Sequence, residues 1–393
     1  MRRSYKFLLR LTRNQVAALE ACLEDTRQLY NAALEERREA WRKGVSVSFY
    51  TQDAQLKEIR KADPEQYGRW SFMCESAAIR RLDRAFKAFF RRVKSGEAPG
   101  YPRFKGRGWW DSVEWRNGDG AKWDSVPHPT VTRVRLMGIG HVRVHQHRAV
   151  KGIVKTVTVK REGSRWFVVL SCDDVPAEPL PATGAAVGID LGIASFLTDS
   201  GGTHVPNPRH LAASAEHLAS AQRALARKKR GGKRRKKAVA RVAALHGKVR
   251  RGRLDHAHKT ALALVRDNDL IVHEALQVAN MTRRAKPRPA EDGSFEPNGA
   301  AAKTGLNKSI NDAGWGIFLS VLCGKAESAG RTVIAVNPRH TSQRCAECGH
   351  VAAGNRVSQA AFRCLSCGHR AHADVNAAIN ILRAGLVLQA NAA

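Results

Sequence analysis

Four cysteines near the C-terminal end stand as two C-x2-C pairs fifteen residues apart: Cys345 and Cys348, then Cys364 and Cys367. Each pair fits a tight turn, so the four thiolates can reach one tetrahedral zinc ion. Gly349 and Gly368 follow the pairs and allow the positive φ that such turns need. His350, His369 and His372 lie near enough to substitute, but four cysteines already close the shell, and a closed shell is structural rather than catalytic. Cys22, Cys74, Cys172 and Cys323 stand alone. The basic N-terminus MRRSYKFLLRLTR has a short apolar patch broken by Arg10, so it is not a secretory signal. No apolar run approaches the roughly 20 residues that span a bilayer, and without export the lone cysteines are expected to stay reduced.

The cysteine module interrupts a pattern of alternating strands and helices. AAVGIDLGIASFLTDSGG (185–202) reads as a buried strand, a turn and a second strand. Residues 208–265 read as a helical hairpin broken at Gly231-Gly232, LIVHEAL (270–276) as a buried strand, and 307–329 as one amphipathic helix. The strand RTVIAV (331–336) precedes the cysteines, and the helix DVNAAINILRAG (374–385) follows them. That alternation predicts an α/β fold.

The N-terminal half reads differently. SYKFLLRL (4–11) alternates as a strand, and Thr12 with Gln15 forms a capping box for a helix burying Val16, Leu19, Leu23, Tyr30 and Ala33. A second helix over 74–94 carries an apolar stripe of Ala78, Leu82, Phe86, Phe89 and Phe90. Residues 130–172 are β-rich, with a turn at Glu162-Gly163-Ser164, and suggest a small barrel with a basic rim. PAEPLPATG (176–184) is a Pro-rich boundary.

Charge narrows the function. The chain holds 67 Lys+Arg against 35 Asp+Glu, a formal net charge of +32. Such a surplus repels itself unless a polyanion neutralises it, which argues against a small neutral substrate. With 43% hydrophobic residues the chain is no disordered basic tail. Arg80, Arg81, Arg84, Lys87, Arg91 and Arg92 clothe the second helix, and the stretch Arg223 to Arg253 has fifteen Lys/Arg and no acid. Between Gly96 and Trp115, aromatics alternate with cations. They either stack on bases or fill a core as part of an irregular connector.

Acids are scarce, and three stand out. Asp190 interrupts the apolar strand VGIDLG, Glu274 ends LIVHEAL, and Asp374 opens the last helix. Asp374 alone reads as an N-cap, and the other two could face solvent at strand ends. Buried carboxylates are costly unless paired or metal-bound. Together in a basic chain they suggest Mg²⁺ ligands, two hard cations serving phosphodiester cleavage.

Several segments carry a family resemblance: VGIDLGIASF, IVHEALQVANM, NDAGWGIFLSVLCGKAESAG, NPRHTSQRCAECGH and FRCLSCGHRAHADVNAAINIL, with YKFLLRLT, LYNAAL, AFKAFFRRVKSGEAPGYPRFKGR and DSVEW nearer the start. In order and spacing they resemble the TnpB family, insertion-sequence-encoded relatives of type V CRISPR effector nucleases, over nearly the whole chain. The resemblance implies a multi-domain α+β architecture. A β-barrel wedge domain spans 1–12 and 112–182, and a helical recognition domain spans 13–111. An RNase H-like (RuvC) nuclease domain of α/β fold spans 183–340 and 370–393, with a zinc ribbon for target nucleic acid inserted at 341–369. It implies that Asp190, Glu274 and Asp374 hold two Mg²⁺ ions and that the four cysteines hold one structural Zn²⁺. The implied partners are a guide RNA from the transposon end and double-stranded target DNA, with no membrane. The protein would act in the prokaryotic cytoplasm at the nucleoid, as a monomer or weak dimer.

The nucleic-acid contacts follow from charge and resemblance together. Arg80, Arg84, Arg103 and Lys105 are expected to grip backbone, as is the hairpin tip Arg227, Lys228, Lys229, Arg230, Lys233, Arg234, Arg235, Lys236 and Lys237. The resemblance places adjacent-motif reading around Phe49, Tyr50, Thr51 and the start of the second helix, including Ser76. Many relatives carry an acid-Arg pair before the last Asp; here the run is His372-Ala373-Asp374. The readings that compete with guided cleavage are a guided repressor that does not cut, a guide-free junction nuclease, and a zinc-ribbon RNA binder without chemistry. Retention of all three acids speaks against the first, and Glu274 has no use in the last.

Overall fold

The computed structural model describes residues 1–391 except Pro127 and Pro129. The chain divides into two compact units, Met1–Pro176 and Ala177–Ala393. The division falls inside the Pro-rich boundary. Residues just after it bond to the second unit: Glu178 N–H donates to the Ser328 carbonyl, and Leu180 N–H to that of Ala329.

In the first unit β1 (Arg3–Arg10) is followed by α1 (Arg13–Arg42), α2 (Phe49–Ala62) and α3 (Phe72–Lys94), then by β2 (Ser112–Asn117), β3 (Gly120–Lys122), β4 (Thr132–Leu136), β5 (Gly140–His145), β6 (Ile153–Glu162) and β7 (Arg165–Asp173). The seven strands close into a barrel in the order β1-β5-β4-β3-β2-β6-β7. Alternation explains it: Tyr5, Phe7 and Leu9, Val142 and Val144, Val157 and Val159, and Val168 and Leu170 all turn inward. The expected capping box is present: Gln15 N–H donates to the Thr12 hydroxyl at 3.3 Å, and Thr12 N–H donates to Gln15 Oε1 at 3.1 Å.

Three expectations change here. A helix, α2, lies over 49–62, where none was read. Phe90 leaves the apolar stripe of α3 and is exposed. The aromatic stretch divides: Trp110 and Trp115 are buried and fill a core, while Trp109 is 84% exposed.

The second unit contains β8 (Ala186–Leu191), β9 (Ser195–Asp199), β10 (His204–Pro206), α4 (Ala215–Ala226), α5 (Lys233–Asp267), β11 (Leu270–Glu274), α6 (Val278–Met281), α7 (Ala300–Ala313), α8 (Trp315–Ala329), β12 (Thr332–Val336), β13 (Ala361–Arg363), β14 (Arg370–His372) and α9 (Ala373–Ala390). Its five-stranded sheet has the order β10-β9-β8-β11-β12, with β8, β11 and β12 parallel and β9 antiparallel to β8. This is the RNase H-like arrangement. The helix read as 307–329 is in fact two, α7 and α8, because Gly314 adopts φ +74° and ends the first. The hairpin of α4 and α5 turns at Gly231 with φ +82°.

Candidate active site

Parallel pairing aligns Ile189 with His273. One residue further, Asp190 near the end of β8 and Glu274 at the end of β11 stand on neighbouring strands. Asp374 comes from α9, which packs on this sheet. It is not the cap: His372 holds that position, and its Nδ1 accepts the Asp374 N–H at 3.3 Å. Asp374 therefore sits inside the first turn, where a carboxylate gains from the helix dipole.

The three acids share one electrostatic environment. Burial, then the charges of Glu274 and Asp374, push the Asp190 carboxyl up to about 7, while Arg356 opposes the rise. Burial also raises Glu274, against a hydrogen bond from the Thr341 hydroxyl and the charge of Arg356. Arg356 Nη2 donates to Asp374 Oδ1 at 3.0 Å. One guanidinium thus offsets part of the charge of three carboxylates. The remaining surplus, in a half-buried place, suits a divalent cation.

Arg356 and Thr341 come from the cysteine module, and sequence reasoning missed both. The four sulfurs all lie within 4.8 Å of one another, with Cys345 and Cys367 3.7 Å apart and Cys348 and Cys364 3.6 Å apart. The Cys367 N–H leads in drawing the Cys364 thiol down to about 6. The His369 N–H acts the same way on Cys367, but its crowding by Cys348, Cys364 and Cys345 pushes it up to about 12. Four such sulfurs ionise together only around a cation, which fits structural zinc.

Helix α9 is clamped to this module along one face. Asn376 Oδ1 accepts the Ala346 N–H at 2.9 Å, and its Nδ2 donates to the Arg344 carbonyl at 2.8 Å. Asn380 donates to the Thr341 and Arg344 carbonyls at 3.0 and 2.7 Å, and Arg383 donates to that of Ala346. Positions 376, 380 and 383 recur at helical spacing. Two asparagines four apart in a mostly apolar helix were the sequence signal for this clamp.

On its other side α9 lies against β8 at Gly188. A Cβ there would collide with the Ala378 carbonyl and lie 2.6 Å from the Leu382 nitrogen. Gly188→Ala should push α9, and Asp374 with it, off the sheet. The expected cost is about 1–3 kcal/mol, read as a lowered melting temperature together with weaker cleavage.

The proposed nucleic-acid contacts are more scattered. Arg80 lies over the Phe49 ring at 4.9 Å, and Tyr50 is 81% exposed. Thr51 donates its N–H to the Ser48 hydroxyl at the start of α2. Ser76 is 1% exposed in the α3 core and presents no hydroxyl to a ligand. Arg84 is exposed, 3.9 Å from Glu114. Arg103 is exposed, whereas Lys105 is half-buried and its backbone is held by Arg27 and Asn31. The hairpin cations Arg227, Lys228, Lys229, Arg230, Lys233, Arg234, Lys236 and Lys237 are exposed. Arg235 instead donates to the Leu225 and Lys228 carbonyls, both at 3.2 Å, and closes the end of α4.

The sheet order and the cysteine quartet define an RNase H-like protein with a zinc-ribbon-type insert. Residues 152–285 match the OrfB_IS605 family, described as "Probable transposase", residues 315–381 match "Cas12f1-like, TNB domain", and residues 1–45 match "Helix-turn-helix domain". In this structure the last region is β1 followed by the single helix α1. The "Putative RNA-guided DNA endonuclease InsQ" of Escherichia coli (strain K12) is 34% identical over 97% of this chain and 92% of that protein. A "Putative RNA-guided DNA endonuclease" of Streptomyces pristinaespiralis is 32% identical over 99% and 91%. A Cas12f1 endodeoxyribonuclease of Sulfoacidibacillus thermotolerans is 56% identical, over 14% of each chain. This chain belongs to the TnpB family. Among the described residues no helix is long and apolar enough to cross a membrane.

Proposed function

We propose that this chain is an RNA-guided DNA endonuclease of an insertion sequence. It would bind RNA from the transposon end and cut double-stranded DNA beside a short adjacent motif. The observation that carries the reading is that Glu274 and Asp374 both act on Asp190, at the carboxyl ends of β8 and β11 and the start of α9, in a chain of net charge +32. Whole-length likeness to proteins named as guided endonucleases supports it. In this reading the barrel is the wedge domain and α1–α3 belong to the recognition domain.

Asp190, Glu274 and Asp374 would hold Mg²⁺, which supplies an activated water and charge neutralisation for phosphodiester hydrolysis. The chain's own part is positional. Arg356 fixes the Asp374 carboxylate, Thr341 fixes that of Glu274, and the strand ends set their separation. The test is cleavage of duplex DNA in Mg²⁺ by protein purified with its RNA. A guided repressor would bind without cutting, and a junction nuclease would cut after RNase treatment.

A pH dependence follows. Without metal, Asp190 keeps its proton up to about pH 7, so below that pH the Mg²⁺ that binds Asp190 must displace that one proton. The Mg²⁺ concentration for half-saturation should fall about tenfold per pH unit towards 7 and level off above it. Calorimetric titration across pH 6–8 reads this without cleavage.

Arg356→Ala should separate binding from turnover. Losing a cation beside the acids leaves Mg²⁺ binding at pH 8 at least as tight. Losing its grip on Asp374 should slow cleavage at saturating Mg²⁺ by about 10²-fold. Arg356→Lys keeps the charge without the planar fork and should recover only part of the rate.

A further inference from the structure

Two histidines stand beside the acids, on the face of the sheet that α9 covers. The antiparallel register of β8, β9 and β10 sets Asp190 opposite Thr198 and Thr198 opposite His204. Residues directly opposite in an antiparallel pair send their side chains to one face. Asp190, Thr198 and His204 therefore form a row across three strands. Gly188, two residues before Asp190, shares that face and lies against α9. His204 opens β10, the edge strand of the sheet.

The row ends on the cap of α9. Thr198 is 1% exposed, and its hydroxyl lies 2.9 Å from His204 Nδ1. The His204 ring meets that of His372 edge to face, with centroids 4.6 Å apart and planes at 70°. Aromatic pairs favour this arrangement. His372 Nδ1 accepts the Asp374 N–H at 3.3 Å, so the ring carries its proton on Nε2. An exposed side chain alone changes rotamer freely. His204 and His372 are both exposed, yet each is held from two sides. A buried hydroxyl aims one imidazole, that imidazole steadies a second, and the second holds the backbone of Asp374. Arg356 grips the Asp374 carboxylate from the cysteine module; the histidine pair grips its backbone from the sheet.

We propose that His204 is a positioning residue for the acid cluster: aimed by Thr198, its ring braces the capping imidazole of His372 and so fixes Asp374 beside Asp190. The brace acts through ring contact and hydrogen bonds, with no contact to the ion itself. This rests on the reading that Asp190, Glu274 and Asp374 hold Mg²⁺.

The test compares H204A, H204F and H372N with the parent, each as the full-length chain freed of nucleic acid. In H204A the half-saturating Mg²⁺ concentration, by calorimetry, should rise about tenfold, as when a support behind a metal ligand is removed. Phenylalanine keeps an edge-to-face ring, so H204F should recover most of that loss. H372N keeps a capping side chain but no ring. It should resemble H204A, and adding H204A to it should cost little more. Imidazole nitrogen NMR of histidine-labelled, metal-free protein reads the brace directly. The His372 Nδ1 signal should be that of a fixed acceptor in the parent and should move towards tautomer averaging in H204A. Melting temperatures should stay within about 2 °C of the parent, since His204 is exposed. Full Mg²⁺ affinity in H204A, an unmoved His372 signal, or additive losses in H204A/H372N overturn the proposal. The metal reading fails separately, if the parent itself takes up no Mg²⁺, and the His372 signal still judges the brace.

Discussion

Asp190→Ala is expected to reduce DNA cleavage at least about a thousandfold while RNA still co-purifies in full. The argument is electrostatic. Asp190 is the acid most affected by the other two, since burial and then Glu274 and Asp374 raise its carboxyl. Removing it would take away one ligand oxygen pair and leave two carboxylates, of whose charge the single Arg356 guanidinium offsets half. The negative surplus that would attract a divalent cation is then halved and one of its ligands is missing, so the Lewis acid and its activated water would no longer be held in place. A loss of that size is about 4 kcal/mol of barrier. Fold stability should not fall, because the substitution relieves a buried like-charge cluster. Melting temperature and RNA content therefore serve as controls. Full cleavage by Asp190→Ala would remove the acid cluster as the catalytic centre.

The second large effect is expected from a residue that touches no acid. Cys345→Ser should abolish zinc binding, measured as metal per chain by elemental analysis, and lower cleavage by about a hundredfold or more. The route is structural. Cys345 and Cys364 are buried in the small core of the module with Phe362 and Ala373. That module presents Thr341 to Glu274 and Arg356 to Asp374. It also receives Asn376, Asn380 and Arg383 from α9. A module this small would depend on bound zinc for folding, so loss of the zinc would free the start of α9 and Asp374 with it. Unchanged zinc content in the variant would count against the ligand set.

Much of this was legible in the sequence because its causes are local. Cysteine spacing, an acid inside an apolar strand and alternation along strands are each read within a few residues. The capping box at Thr12 and Gln15 is of the same kind. What escaped depends on distant contacts. Arg356 meets Asp374 across eighteen residues of chain, and nothing in the sequence around it marks that pairing. Ser76 sits at a helical position that looked accessible, yet α3 turns it into the core. His372 takes the cap that Asp374 seemed to offer, because its imidazole reaches the backbone two residues on. Gly314 broke a continuous apolar periodicity through one left-handed residue, which periodicity alone does not reveal. The hairpin cations looked equivalent, but Arg235 spends its guanidinium on the end of α4.

The acids are expected to cut DNA where the bound RNA directs them. The direct measurement is end-mapped cleavage of a plasmid library in Mg²⁺, by protein assembled with RNAs whose guide segment has been changed at will. Cuts should follow the guide sequence, require a fixed motif beside it, and vanish with chelator or with Asp190→Ala. Cuts that ignore the guide, or persist after the RNA is digested, would contradict it.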